Sequence, residues 1–423
     1  MSEVGAATAG PSLLERVRAA AFANRLPLAV AVLSSAVLAA FSARRFLHQS
    51  KAPHFVYQAA AFLEGRLDLP VDPPNQEDWV KLGERFYVSF PAVPAAVMLP
   101  FVALFGYQLN DTSFTVFAAG LSLMVFFLVL RRLSRAQDSP RGDLENLVFT
   151  SVLGFGTLFL SCAIRGEVWF TAEVMGVGFT GLYLLAAHRA RRPLLAGLAW
   201  SAATLTRPPL LFAFIFFAAE VLWPEGTLGV AEARRDLAAK LRRLALFAAG
   251  AAPLAALHAA FNYARFGSIA EFGHRLLWNN RVNADIGRWG LFSYQYLERN
   301  LHAAFTRLPT LSRNPFAIGY DPHGMSLLVT TPLLVLLLWP RQKPRLHRAL
   351  WLTVAFTALQ GLFYQNDGYM QFGFRFSLDY TPYLVLLLAL GGWSVRGRAF
   401  AALAAAGLAV NVWGAIAFRG YSW

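Results

Sequence analysis

The chain has 423 residues, of which 57% are hydrophobic and only 15% charged, a balance that excludes an ordinary water-soluble globular domain. Its net charge of +14 does not mark a nucleic-acid binder, because Lys and Arg occur in short groups between apolar runs, where they orient helices in a bilayer. The single cysteine, Cys162, rules out an intramolecular disulfide, and no zinc-ligand spacing, HExxH, Walker-type loop or dinucleotide fingerprint occurs.

Residues 1–26 carry Arg16, Arg18 and Arg25 and read as a cytoplasmic N-terminal segment. The apolar run 27–43 leads into Arg44-Arg45, a poor small-residue cleavage site, so it reads as an uncleaved first span. Further apolar segments lie at 112–130, 147–164, 168–187, 194–206, 208–223, 244–261, 325–339, 349–364, 376–393 and 399–418. They predict an all-α polytopic membrane bundle of about eleven transmembrane helices.

Parity tests this count. With the N-terminus inside, every even-numbered span should end in a basic cytoplasmic loop. Arg131, Arg132, Arg135 and Arg141 follow the second span, and Arg189, Arg191 and Arg192 the fourth. Arg234, Arg235, Lys240, Arg242 and Arg243 follow the sixth, Arg341, Lys343, Arg345 and Arg348 the eighth, and Arg396 and Arg398 the tenth. The pattern requires a tight hairpin at Thr206-Arg207-Pro208-Pro209, and it puts the C-terminus outside an inner (cytoplasmic) membrane.

The organisation that follows is an N-terminal transmembrane module over 27–261 that includes a long outside loop at 44–111, a second outside loop at 262–324, and C-terminal transmembrane helices over 325–423. Loops of this length carry function or are disordered. Phe55, Tyr57, Phe62, Trp79, Phe86, Tyr87, Phe90 and Phe101 in the first and Trp278, Trp289, Phe292, Tyr294 and Tyr296 in the second suit packing at a membrane interface. In the first loop, residues 52–65 read as an amphipathic interfacial helix stopped by Gly65, residues 68–81 as an irregular turn, and the Pro-punctuated stretch from Tyr87 as an extended entry to a second interfacial helix.

One span, an amphipathic helix ending in Leu63-Glu-Gly-Arg-Leu-Asp-Leu, and an aromatic-proline segment before the second span together resemble the C-type (GT-C) membrane glycosyltransferases. Similar pieces follow in order: Leu205-Thr-Arg-Pro-Pro-Leu, Phe261-Asn-Tyr-Ala-Arg-Phe-Gly, Asp321-Pro-His-Gly-Met and Phe372-Gly-Phe-Arg-Phe-Ser-Leu-Asp. The resemblance implies transfer of a sugar from a polyprenyl-phosphate donor to a cell-envelope glycan or glycolipid acceptor on the outer face of the membrane. It implies no dedicated cofactor, and a donor phosphate met by Arg needs no metal. The chain departs from the family pattern just before the amphipathic helix, where an acid is expected and Ser50-Lys51-Ala52-Pro53-His54 stands.

Such a transfer needs a base for the acceptor hydroxyl and cations for the departing phosphate. His54, Glu167, Glu173 and Asp78 are the candidate catalytic groups, with Asp111 a further acid on the same face. Lys51, Arg165, Arg207 and Arg375 are candidates for the phosphate, since guanidinium donates paired hydrogen bonds to phosphate oxygens. Glu173 falls inside the fourth span, where Arg165 or Arg207 can pair with it, and Arg375 can pair with Asp379 one turn on. Two other readings remain at this point: a transporter or flippase of a lipid-linked intermediate, and a non-catalytic partner protein of the same fold.

Overall fold

A computed structural model describes residues 25–278, 280–313 and 315–419; most of the basic N-terminal segment and the last four residues lie outside these. The main helices in chain order are α1 (Arg25–Ser42), α2 (His54–Leu63), α3 (Val93–Phe105), α4 (Asp111–Arg135), α5 (Asp143–Phe155), α6 (Val168–Ala187), α7 (Pro193–Thr204), α8 (Phe214–Leu222), α9 (Leu237–Phe266), α10 (His347–Phe363), α11 (Thr381–Leu390) and α12 (Arg398–Arg419). Two short antiparallel hairpins, β1 (Trp79–Leu82) with β2 (Arg85–Val88) and β3 (Thr310–Arg313) with β4 (Phe316–Gly319), lie in the two long loops.

The protein is an integral membrane protein. Five helical stretches among the described residues are each long and apolar enough to cross a bilayer: Arg25–Leu47, Asp111–Arg135, Val168–Ala190, Leu237–Phe266 and Arg398–Phe418. The other six apolar segments of the sequence are shorter or broken. Gly156 ends α5 before a separate turn at Phe159–Ala163, Pro332 opens a 3-10 stretch, and Gly391 stops α11. Proline removes a helical donor and glycine loosens the backbone, so continuous hydrophobicity here does not give continuous helix.

α4 shows how sequence sets a span. The side chain of Asn110 accepts from the Ser113 N–H to cap the first turn, and Arg132 and Arg135 sit in the last turn, where cations oppose the helix dipole. Neighbouring spans meet over small residues: a Cβ at Gly197 of α7 would overlap the Phe247 carbonyl of α9, and one at Gly250 would overlap the Leu194 carbonyl. The expected hairpin at Arg207 is present. Trp200 Nε1 donates to the Leu211 carbonyl at 3.0 Å, and its ring meets Phe214 at 6.3 Å, so the chain doubles back after α7.

The basic loops meet at one end of the bundle. Asp138, between α4 and α5, accepts from His188 at 2.6 Å, from Arg189 at 3.0 Å and from Arg345 at 3.2 Å. Arg345 also donates to Glu220 at 2.6 Å, and Arg141 donates to the carbonyls of Ala389 and Trp393. The loops after the second, fourth, sixth, eighth and tenth segments thus share one face. The opposite end of α4 holds both long loops, joined where Trp278 N–H donates to the Trp79 carbonyl at 2.7 Å.

Within the first loop the sequence reading is right about α2 and α3 and misses the hairpin between them. In the β1/β2 register Trp79 faces Val88 and Val80 faces Tyr87. One face joins Leu69, Trp79, Phe86 and Val88; the other joins Val80, Tyr87 and Leu277. Both faces are buried, so the polar alternation that would signal a half-exposed strand is missing. α2 is also more enclosed than an interfacial helix: Phe55, Val56, Ala59 and Ala60 pack with Ala95 and Met98 of α3 and with Val168 and Ala172 of α6.

Burial alone would raise the pKa of Asp138, but hydrogen bonds from His188, Arg189 and Arg345 more than reverse this and hold it below the usual carboxylate range. Removing the charge takes the shared counter-charge from Arg189 and His188 and leaves Arg345 with Glu220 alone, so Asp138→Asn should cost on the order of 3 kcal/mol in detergent unfolding. A depressed folded-state pKa stabilises above the unfolded value near 4 and fades as pH falls through the lower folded value. The difference in Tm between wild type and Asp138→Asn should therefore be full at neutral pH and shrink below about pH 4.

Candidate functional site

The N-terminal end of α6 organises a buried chain of charges. Arg207, at the hairpin, forms a fork on Asp379 with Nε and Nη2 at 2.9 and 2.7 Å. Its Nη2 lies 4.0 Å from Glu173 of α6, and Glu173 Oε1 is 3.1 Å from Arg375 Nε. Cys162 Sγ donates to the other Glu173 oxygen at 3.3 Å. The Phe376 ring stands beside both guanidinium groups, at 5.6 Å from Arg207 and 5.2 Å from Arg375. Asp379, Glu173 and Arg375 are buried, and Arg207 nearly so.

The expected Arg375–Asp379 pair does not form, for a geometric reason. Residues Arg375–Asp379 are a 3-10 helix, whose three-residue turn puts positions four apart on different faces. Arg375 is thereby released to Glu173 and Asp379 to Arg207.

One turn before Glu173 on the same face of α6, Trp169 Nε1 donates to Asp78 Oδ2 at 2.8 Å. Asp78 has φ +55°, a left-handed conformation that Asp tolerates better than most residues, and the turn aims its carboxylate inward as the strand begins. Burial raises the Asp78 pKa, against the Trp169 hydrogen bond and the charge of Arg375. Asp78 Oδ1, Arg207 Nη1 and Arg375 Nη2 have no hydrogen-bond partner among the described residues. His274 of the second long loop completes the rim; burial and the charge of Arg207 lower its pKa to about 4.

Of the sequence candidates, Asp78, Glu173, Arg207 and Arg375 come together here. The others lie apart. His54 is fully buried, stacked on Trp79 at 3.7 Å with Nε2 2.8 Å from the Glu77 carbonyl, and burial lowers its pKa to about 4. Lys51 is exposed, and its carbonyl accepts from Asn75 Nδ2 at 2.6 Å. Arg165 forms a fork on Glu167, with Nε to Oε2 at 3.0 Å, between the rings of Phe170 and Phe418. Arg45 reaches the same carboxylate at 3.3 Å. Burial favours protonation of Glu167, but the charge and hydrogen bonds of Arg165 and the charge of Arg45 leave its pKa lowered. Asp111 accepts from the Ser50 N–H and hydroxyl at 2.7 and 2.6 Å and fastens the loop to α4.

Sequence reasoning missed Trp169 and His274 as site residues, and the Arg375–Asp379 pair it offered as the alternative to phosphate binding is replaced by Arg207–Asp379. The i, i+4 spacing of Trp169 and Glu173 on a continuous helix is the one local signal that ties the first to the site.

No family model and no curated protein matches this chain. Among solved structures it is similar to an oligosaccharyltransferase from Archaeoglobus fulgidus in the apo form, with 13% identity and a TM-score of 0.46, over 95% of this chain and 57% of that one. It is also similar to the archaeal oligosaccharyltransferase AglB from Archaeoglobus fulgidus in complex with an inhibitory peptide and a dolichol-phosphate, with 12% identity and a TM-score of 0.48, over 95% and 56%. The chain thus spans little more than half the length of these proteins.

The buried charge chain can be dissected by a double-mutant cycle. Asp379→Leu should destabilise by about 3–5 kcal/mol because Arg207 loses its counter-charge, and Arg207→Met should do the same through Asp379. The double variant should lose less than the sum, by a coupling of about 1–3 kcal/mol in thermal unfolding.

Proposed function

We propose that this chain is a membrane glycosyltransferase that uses a polyprenyl-phosphate sugar, with its site at the face of the two long loops. The carrying observation is the set of three open polar groups: one carboxylate oxygen, Asp78 Oδ1, beside two guanidinium groups that each keep one free amino group. In the transfer, an acceptor hydroxyl attacks the anomeric carbon of the donor, and the bond from that carbon to the carrier's phosphate oxygen breaks. The hydroxyl proton passes to Asp78. The polyprenyl phosphate leaves with its charge held by Arg207 Nη1 and Arg375 Nη2. Glu173 and Asp379 fix the two guanidinium groups in place.

This assignment also accounts for the departure from the family pattern at Ser50-Lys51-Ala52-Pro53-His54. Asn75 binds the Lys51 carbonyl and Trp79 stacks on His54, so the turn that carries Asp78 is folded directly onto the stretch that lacks an acid. By the positive-inside rule the basic loops support a cytoplasmic location for their shared face, and with it an outer location for the site. A flippase reading has less support, because the buried charges form separate clusters at the two ends of the bundle and do not line a path through it. A non-catalytic partner role is favoured by one observation: the four charges from Asp379 to Arg375 satisfy one another without a ligand.

The test is transfer of radiolabelled sugar by the full chain in lipid vesicles, over a panel of polyprenyl-phosphate donors and glycolipid acceptors. Asp78→Asn should lower turnover about 10²–10⁴-fold at unchanged protein stability. Since the Asp78 pKa is raised, activity should fall on the acid side at a higher pH than an ordinary aspartate would give. Undiminished transfer by Asp78→Asn would remove Asp78 from the mechanism, and a wild-type chain inactive with every donor would favour the non-catalytic role.

A further inference from the structure

The second long loop carries an apolar ribbon that the described residues leave largely uncovered. In the β3/β4 register Leu311 lies opposite Ile318, and strand alternation places both on one face. The other face holds Thr310, Ser312, Ala317 and Gly319. Leu311 is 69% exposed and Ile318 50%, so the pair presents apolar surface that the rest of the described chain does not cover.

What covers this face is set by its surroundings. Leading into the ribbon, Leu301 and Phe305, four apart in a helical stretch that ends at Thr306, and Leu308 just beyond it are all exposed. That segment is clamped to the outer end of α10, where Asn300 Nδ2 donates to the carbonyls of Gly361, Leu362 and Tyr364 at 3.2, 2.9 and 2.7 Å. α10 itself exposes Phe356 and Leu359. The ribbon thus follows a segment fastened to the end of an apolar helix that itself exposes large hydrophobic side chains. From Leu301 to Gly319 the chain contains no Asp or Glu but includes Arg307 and Arg313, and exposed Arg313 is placed to reach lipid phosphates.

We infer that the β3/β4 hairpin is a membrane-surface anchor, with Leu311 and Ile318 seated at the boundary between headgroups and acyl chains of the outer leaflet and Arg313 against the phosphates. It ties the second long loop to the bilayer beside α10.

The experiment uses the full chain in nanodiscs of phosphatidylcholine and phosphatidylglycerol, with spin labels at Leu311→Cys, Ile318→Cys or Ser312→Cys in separate samples. Cys162 is buried, and the unsubstituted chain reports any label it takes up. Collision rates with oxygen, which concentrates in the bilayer, and with a water-soluble nickel chelate are then compared. Labels at 311 and 318 should meet oxygen more than nickel, and the label at 312 the reverse. Preferential contact with nickel at 311 and 318 would overturn the anchor. Exclusion of both reagents there would overturn it too, and would indicate a protein surface, such as a second copy, over the ribbon.

Discussion

Burying charge near a membrane is tolerable only where each charge finds a counter-charge, and the end of this bundle that carries the two long loops is arranged around that constraint. Asp379, Arg207, Glu173 and Arg375 alternate in sign and come from three separate parts of the chain. Glu173 sits on a long span, Arg207 at a hairpin between two short helices, and Arg375 and Asp379 on a 3-10 turn. None of the four is at ease alone in an apolar setting, so the pairing fixes how the three parts meet. Asp78 and Trp169 attach the first long loop to the same face of α6.

The remaining ionisable groups at the long-loop end act as fasteners. Glu167 is enclosed by Arg165 and Arg45 and joins the end of α1 to the start of α6. Asp111 holds the chain after α1 against α4. His54 is a neutral ring between a backbone carbonyl and the Trp79 indole. These groups hold the loops so that the open oxygen of Asp78 and the open amino groups of the two arginines are presented together.

The arrangement of loops was legible in the sequence because charge is costly in a bilayer and basic clusters mark the ends of spans. The convergence of Arg141, Arg189 and Arg345 with their partners on one face follows that logic, and so does the turn at Arg207. Helix continuity was less legible: apolar stretches such as 325–339 and 376–393 contain prolines that break them into short pieces. The β1/β2 hairpin was invisible because both its faces are buried. In the site, Arg207, Arg375 and Glu173 were found as buried charges, but their pairing depends on the 3-10 geometry at Arg375 and on contacts between residues more than 170 positions apart. Asp78 stood out only as an acid on the right loop; its place beside Arg375 follows from a left-handed turn that no local pattern announces.

The most direct measurement of the central claim is a cryo-electron microscopy structure of the full chain in nanodiscs with a non-transferable polyprenyl-phosphonate sugar. The account predicts the phosphonate within hydrogen-bond reach of Arg207 and Arg375 and the sugar's anomeric carbon facing Asp78, with Glu173 and Asp379 still paired to the two arginines. A donor analogue seated elsewhere in the bundle, with Asp78 remote from the sugar, would contradict it.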